Sequence, residues 1–150
     1  MPSTDRRRDV LDSLGRAIVT GEMTPGQSLT LEAIQSRYGV SRTLARDCVH
    51  ALESVGVVTS RRRVGIVVLP REHWSALAPQ LVRWQLEADP HGPTLGALTE
   101  LRAAIEPVAA AAAARRATEE QRSGLLALAA TIRTKGTTGN VASYLDDDIA

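Results

Sequence analysis

Val10, Leu11, Leu14, Ala17 and Ile18 recur at intervals of three and four. That spacing predicts an amphipathic helix from about Asp5 to Thr20, stopped by Gly21. Thr24-Pro25-Gly26 reads as a turn. Thr30 is placed to N-cap a short second helix, with Leu31, Ile34 and Tyr38 on its buried side and Gly39 at its end. Ser41 caps a third helix that runs to Val55 and is stopped by Gly56. The period then changes. Val57-Val58-Thr59 and the run from Val64 to Leu69 are rich in β-branched residues and bracket Ser60-Arg61-Arg62-Arg63. This predicts a β-hairpin with an arginine-rich tip, closed by Pro70. Three helices followed by a small hairpin make a winged helix-turn-helix.

Beyond Pro70 the helical period returns. Trp74, Leu77, Leu81 and Trp84 share it, with Pro79 either interrupting the segment or lying near its start. Asp89-Pro90-His91-Gly92-Pro93 is a breaker that ends a linker. Leu98, Leu101, Ile105, Val108 and Ala112 then line a long helix from Thr94 to about Ala117. Leu125, Leu128, Ala129 and Ile132 line another, broken at Gly136 to Gly139. Asn140 begins a third, with Val141, Tyr144 and Leu145 apolar. The run Ala109 to Ala114 reads as a close helix–helix contact, since Ala is the best helix former. The expected architecture is mainly α: a winged helix-turn-helix over 1–70, a linker over 71–93, and the start of an all-helical domain over 94–150.

Composition narrows the function. The chain has 150 residues, 43% of them hydrophobic, too many for a disordered chain. Its one Cys cannot form an internal disulfide, which excludes a stapled secreted domain and points to a reducing compartment. No apolar run approaches the roughly 18 residues of a membrane span. Met1 to Arg8 is polar and has no secretory h-region. A cytoplasmic protein with no membrane partner is expected. There is no Phe, and Lys135 is the one Lys, so positive charge is almost all Arg. The charge is uneven. Residues 1–70 carry 10 Arg against 7 acids, while residues 71–150 carry 8 basic residues against 10 acids. A basic front and a mildly acidic back imply two modules with different partners.

The third helix carries the sharpest signal. Advancing about 100° per residue from Arg42, Leu44, Cys48, Ala51, Leu52 and Val55 fall between about 180° and 280°. Arg42, Thr43, Arg46, His50 and Glu53 fall between about 0° and 100°. One face is set to bury. The other presents two Arg, a hydroxyl and an imidazole, as a recognition helix entering the major groove does. A solvated surface helix would show the same polar face. The tight turn Tyr38-Gly39-Val40-Ser41, the arginine tip and the positive front module favour DNA. Arg6-Arg7-Arg8 could add contacts or simply be solvated, because Asp5, Asp9 and Asp12 offset them. Cys48, on the apolar arc, reads as a small hydrophobe.

Pro25-Gly26-Gln27-Ser28-Leu29, Leu31-Glu32-Ala33-Ile34 and Gly39-Val40-Ser41-Arg42-Thr43-Leu44-Ala45-Arg46-Asp47 resemble the N-terminal domain of the GntR family of bacterial repressors. Leu52-Glu53, Gly56-Val57-Val58 and Gly65 continue the match over about residues 9–69. The resemblance implies DNA contacts at Ser41, Arg42, Thr43 and Arg46, and wing contacts near Arg62 and Arg63. Glu32 departs from the family, many of whose members carry an Arg there. Leu44 and Ala45 replace the common Pro-Val.

The back half is similar to the effector domain of the FadR subfamily, called FCD, through Glu100-Leu101-Arg102-Ala103-Ala104-Ile105-Glu106-Pro107 and Arg115-Arg116-Ala117-Thr118. The resemblance implies that Arg102 reaches a small carboxylate effector; a salt bridge to Glu106 at i+4 is the alternative. It also implies that Asp148 begins a D-x-x-F-H metal motif for a divalent ion such as Zn, Ni or Mn. Only the first three positions are present, as Asp148-Ile149-Ala150. His50, His73 and His91 are not placed to complete the set, so no metal is expected in this chain, and Asp146-Asp147-Asp148 reads equally as a solvated acidic cluster. An incomplete effector domain is the expectation. Arg63-Val64-Gly65, Pro70-Arg71-Glu72-His73-Trp74 and Val82-Arg83-Trp84-Gln85-Leu86 further resemble regulators of sugar-acid catabolism, of the galactonate and gluconate type.

The leading expectation is a homodimeric, ligand-responsive transcription regulator, a repressor rather than an enzyme. It would bind double-stranded DNA at a near-palindromic operator and respond to a small carboxylate such as a sugar acid. The alternative is a metal-dependent helical enzyme or binding protein with a basic N-terminal module. It lacks a nucleophile–base pair, a phosphate loop and a complete metal set. A third reading is a remnant that binds DNA without sensing.

Overall fold

The computed structural model describes residues 3–138, with side chains over 5–131 and at 133. Helix α1 spans Ser3–Val19. Its stripe of Val10, Leu11, Leu14, Ala17 and Ile18 is buried, as the three-and-four spacing predicts. Strand β1 follows at Ser28–Leu29, then α2 at Leu31–Tyr38 and α3 at Arg42–Ser54. Both predicted caps form. Thr30 Oγ1 accepts from the Ala33 N–H at 3.1 Å, and Ser41 Oγ accepts from the Leu44 N–H at 3.2 Å. Gly39 ends α2 at φ 60°, a left-handed conformation that glycine adopts without a Cβ clash, and its N–H bonds to the Gln35 carbonyl.

The hairpin is β2, Val58–Arg61, and β3, Gly65–Val68. It belongs to a three-stranded antiparallel sheet ordered β1-β3-β2. Ser28 pairs with Val67 and Leu29 with Ile66 on one side of β3; Val58 pairs with Val68 and Arg61 with Gly65 on the other. Strand β1 was absent from the sequence reading. Two residues are too few to show a period, and a partner strand supplies what they lack. Gly65, at φ 101°, lies where a Cβ would come within 2.5 Å of the Leu29 carbonyl oxygen, so β1 can approach only a glycine there.

A 3₁₀ turn at Arg71–His73 leads to α4, Pro79–Ala88, with Pro79 at its start, where a missing N–H is harmless. The segment expected as a linker thus holds a helix that packs on α1. Leu81 and Trp84 are fully buried. Trp84 lies across Gly15 of α1, where a Cβ would meet the ring at 2.5 Å. Asp12, also buried, receives Trp84 Nε1 at 2.8 Å and both terminal nitrogens of Arg83. Burial pushes the Asp12 carboxyl up, but those hydrogen bonds outweigh it and hold the group below its usual range. Trp74 is half-buried, donates to the Leu69 carbonyl at 3.1 Å and stacks under Arg71. Both Trp side chains pack.

Helices α5, Pro93–Arg116, and α6, Glu119–Thr138, complete the described chain. The chain divides into one compact unit to Leu98 and another from Thr99. Helix α6 continues through Gly136, where a break was expected; one glycine costs a helix only about 1 kcal/mol. Gly139 and the helix expected from Asn140 lie outside the described residues.

Candidate nucleic-acid interface

Helix α3 has the two faces its sequence implies. Cys48, Leu52 and Val55 are buried. Ala45 and Val49 are buried as well, so the apolar arc is wider than expected and turns toward the wing, where β2 packs on α3. Leu44 and Ala51 are half-buried. Cys48 has no exposed surface, and burial pushes its thiol up, which keeps it inert. Ser41, Arg42, Thr43, Arg46 and His50 are exposed, together with Arg61, Arg62 and Arg63 of the wing.

Between α3 and the wing lies an open concavity of about 580 Å³. Arg42, Arg46, His50, Arg61 and Arg63 line it, with Glu32 from α2 and Glu53. Four guanidinium groups against two carboxylates give a positive groove. Ser41 and Thr43 stand at the exposed N-terminus of α3, and Arg62 occupies the hairpin turn outside the concavity's lining. Arg63 holds φ at 65°, a left-handed conformation that costs a non-glycine residue on the order of 1 kcal/mol.

Two carboxylates organise the groove, and the sequence reading assigned a role to neither. Glu53 Oε1 accepts from the Ser60 N–H of β2 at 2.7 Å, while Oε2 meets His50 Nδ1 at 3.2 Å. Burial raises the Glu53 carboxyl, but the Ser60 and His50 hydrogen bonds prevail and lower it. This side chain ties the recognition helix to the wing. Glu32 Oε1 accepts from Arg42 at 3.0 Å, with both side chains about two-thirds exposed at 65% and 69%. The hydrogen bond from its own backbone N–H and the nearby Arg42 charge lower the Glu32 carboxyl. Only the placement of Glu53 on the polar face of α3, and the family departure at Glu32, hinted at these roles. Arg6 donates to the Tyr38 and Gly39 carbonyls, so it serves the end of α2.

The other expected sites fare differently. Arg102 Nε donates to Glu106 Oε1, the salt bridge at i+4. Asp148 lies outside the described residues. Among the described residues no three His, Cys, Asp or Glu side chains gather to hold a metal. No helix of the described chain is long and apolar enough to cross a membrane.

Residues 6–68 match the model of the bacterial regulatory proteins of the gntR family, and residues 97–150 match the FCD domain. The chain is 34% identical over 116 residues to the galactonate operon transcriptional repressor of Escherichia coli, covering 77% of this chain and 49% of the relative. It is 32% identical over 120 residues to the HTH-type transcriptional regulator YieP of the same organism, covering 79% and 52%. The chain thus spans about half the length of the curated relatives it matches. A solved complex of S. agalactiae BusR with its busAB-promotor DNA is 16% identical, with a TM-score of 0.45, over 93% of this chain and 58% of that one. The named relatives are regulators, and the family is regulatory rather than enzymatic. A winged helix-turn-helix with the gntR pattern, followed by an FCD region, places the chain in the gntR family of bacterial regulatory proteins.

Proposed function

We propose that the chain binds double-stranded DNA through the exposed face of α3 and the wing, as the DNA-reading part of a cytoplasmic transcription repressor. The observation that carries this reading is the groove in which Arg42, Arg46, Arg61 and Arg63 converge beside a recognition helix. Ser41, Arg42, Thr43 and Arg46 face the major groove, where Arg can bond guanine O6 and N7 bidentately. Arg62 and Arg63 meet the backbone or minor groove. Glycine would occupy the left-handed position of Arg63 without strain, so an arginine there supports a use for its charge. A homodimer would set two such helices about 34–36 Å apart on a near-palindromic operator. The effector is a small carboxylate, a sugar acid in keeping with the galactonate repressor among the relatives.

The test is a titration against a duplex that the chain itself enriches from a random-sequence pool. Arg46→Ala should weaken binding by about 1–3 kcal/mol with folding intact. Replacing Arg61, Arg62 and Arg63 with Ala should lower affinity on every sequence and flatten the salt dependence, because phosphate contacts release counterions. Unchanged affinity in both variants at fixed salt would remove this groove from the DNA contact.

A further inference from the structure

A carboxylate in a groove that faces a polyanion is repelled unless it has a task. Glu53 has one inside the protein, on the Ser60 N–H and His50. Glu32 bonds its own backbone N–H and the Thr30 side chain at the start of α2, but its charged partner, Arg42, is itself a groove-lining cation. Ion pairs this exposed add little to stability, so fold stability is a poor account of the pairing. It does constrain what Arg42 can do.

We propose that Glu32 is a specificity-determining residue: it withholds the Arg42 guanidinium from phosphates and presents it to a base edge. The inference rests on the DNA-binding reading above. Arg carries five N–H donors in a planar fork. Two can bond guanine O6 and N7 while another stays on the Glu32 carboxylate, so the pair survives on the right base. A phosphate on those same free donors would bring its negative charge beside the Glu32 carboxylate, whereas a guanine edge is neutral, so the paired Arg42 accepts a base and is penalised on a phosphate. Nonspecific DNA is penalised and the operator is not. Arg61 and Arg63 of the wing line the same groove and are left to supply nonspecific attraction.

The experiment compares wild-type chain with Glu32→Gln, which removes the charge and keeps the shape. Each is titrated at several salt concentrations against the pool-enriched duplex and a scrambled duplex of equal composition. Glu32→Gln should tighten the scrambled duplex about 3- to 10-fold and steepen its salt slope by about one phosphate contact, with a smaller change on the enriched one. The ratio of affinities falls. Adding Arg42→Ala should abolish the extra tightening. Equal tightening on both duplexes, the effect of one added charge anywhere on this face, would overturn the proposal, as would no change. If the wild-type chain enriches no sequence, the DNA-binding reading fails and the role of Glu32 goes with it. If it enriches a sequence and the ratio stays constant in the variant, the role of Glu32 alone fails.

Discussion

Trp84 and Leu126 are both large apolar side chains on helices, yet Trp84 is fully buried and Leu126 is 73% exposed. The first lies in the unit that ends at Leu98, the second in the unit from Thr99. Helix α4 finds a seat: Gly15 leaves room for the Trp84 ring, and Asp12 accepts its N–H. Helix α5 has no buried residue, and Ile105, Val108 and Leu125 stay more than half exposed. An apolar stripe tells that a helix wants a partner. Burial depends on whether another element brings a complementary surface.

The comparison is broken most directly at Trp84. Trp84→Ala should cost about 3–5 kcal/mol in the first unit, since a fully buried ring leaves a cavity. Both Trp of the chain lie before Leu98, so Trp74 emission during denaturation still reports on that unit alone.

Asp12→Ala should cost less, about 2–3 kcal/mol. It strands the Trp84 N–H in the core, but Arg83 is 42% exposed and its charge can reach water. The same residue sets a pH dependence. Its folded-state carboxyl lies below the usual range, so its contribution is complete above that range and is lost as pH falls through the folded value. Wild type should therefore lose stability below about pH 4 more steeply than Asp12→Ala, in denaturant titrations repeated across pH.

Gly15→Ala should cost about 1–3 kcal/mol in thermal melts, although Ala is the better helix former by about 1 kcal/mol. A gain in stability would show that the Trp84 ring can move aside.

The smallest effect belongs to the second unit. Leu126→Ser should change stability, followed by circular dichroism, by no more than about 0.5 kcal/mol. A loss several times larger would show that Leu126 has a buried partner and would erase the contrast.

Much of the first unit was legible before any coordinates. Thr30, Gly39 and Ser41 act locally, through hydrogen bonds to residues a few positions away, and sequence exposes such pairs. Most of the buried side of α3 followed from angle alone, and Ala45 and Val49 widen it toward the wing. What stayed hidden were contacts between distant segments: Asp12 with Arg83 and Trp84, Glu53 with Ser60, and β1 with β3. Asp12 looked like a counter-charge to neighbouring arginines because nothing within its own helix marks it as buried. Glu32 and Arg42 stand ten positions apart on different helices, and only the tight turn at Gly39 brings them together.

The bond from Glu53 to Ser60 also bears on how quickly the protein could engage a duplex. A hairpin that waved independently of α3 would have to be captured after the helix had docked, and ordering it would slow productive collisions. With helix and hairpin fastened at one carboxylate, that ordering is completed when the chain folds. On the proposed reading, both reach the duplex in a single encounter, and orientation and electrostatic attraction rather than loop closure govern the arrival rate.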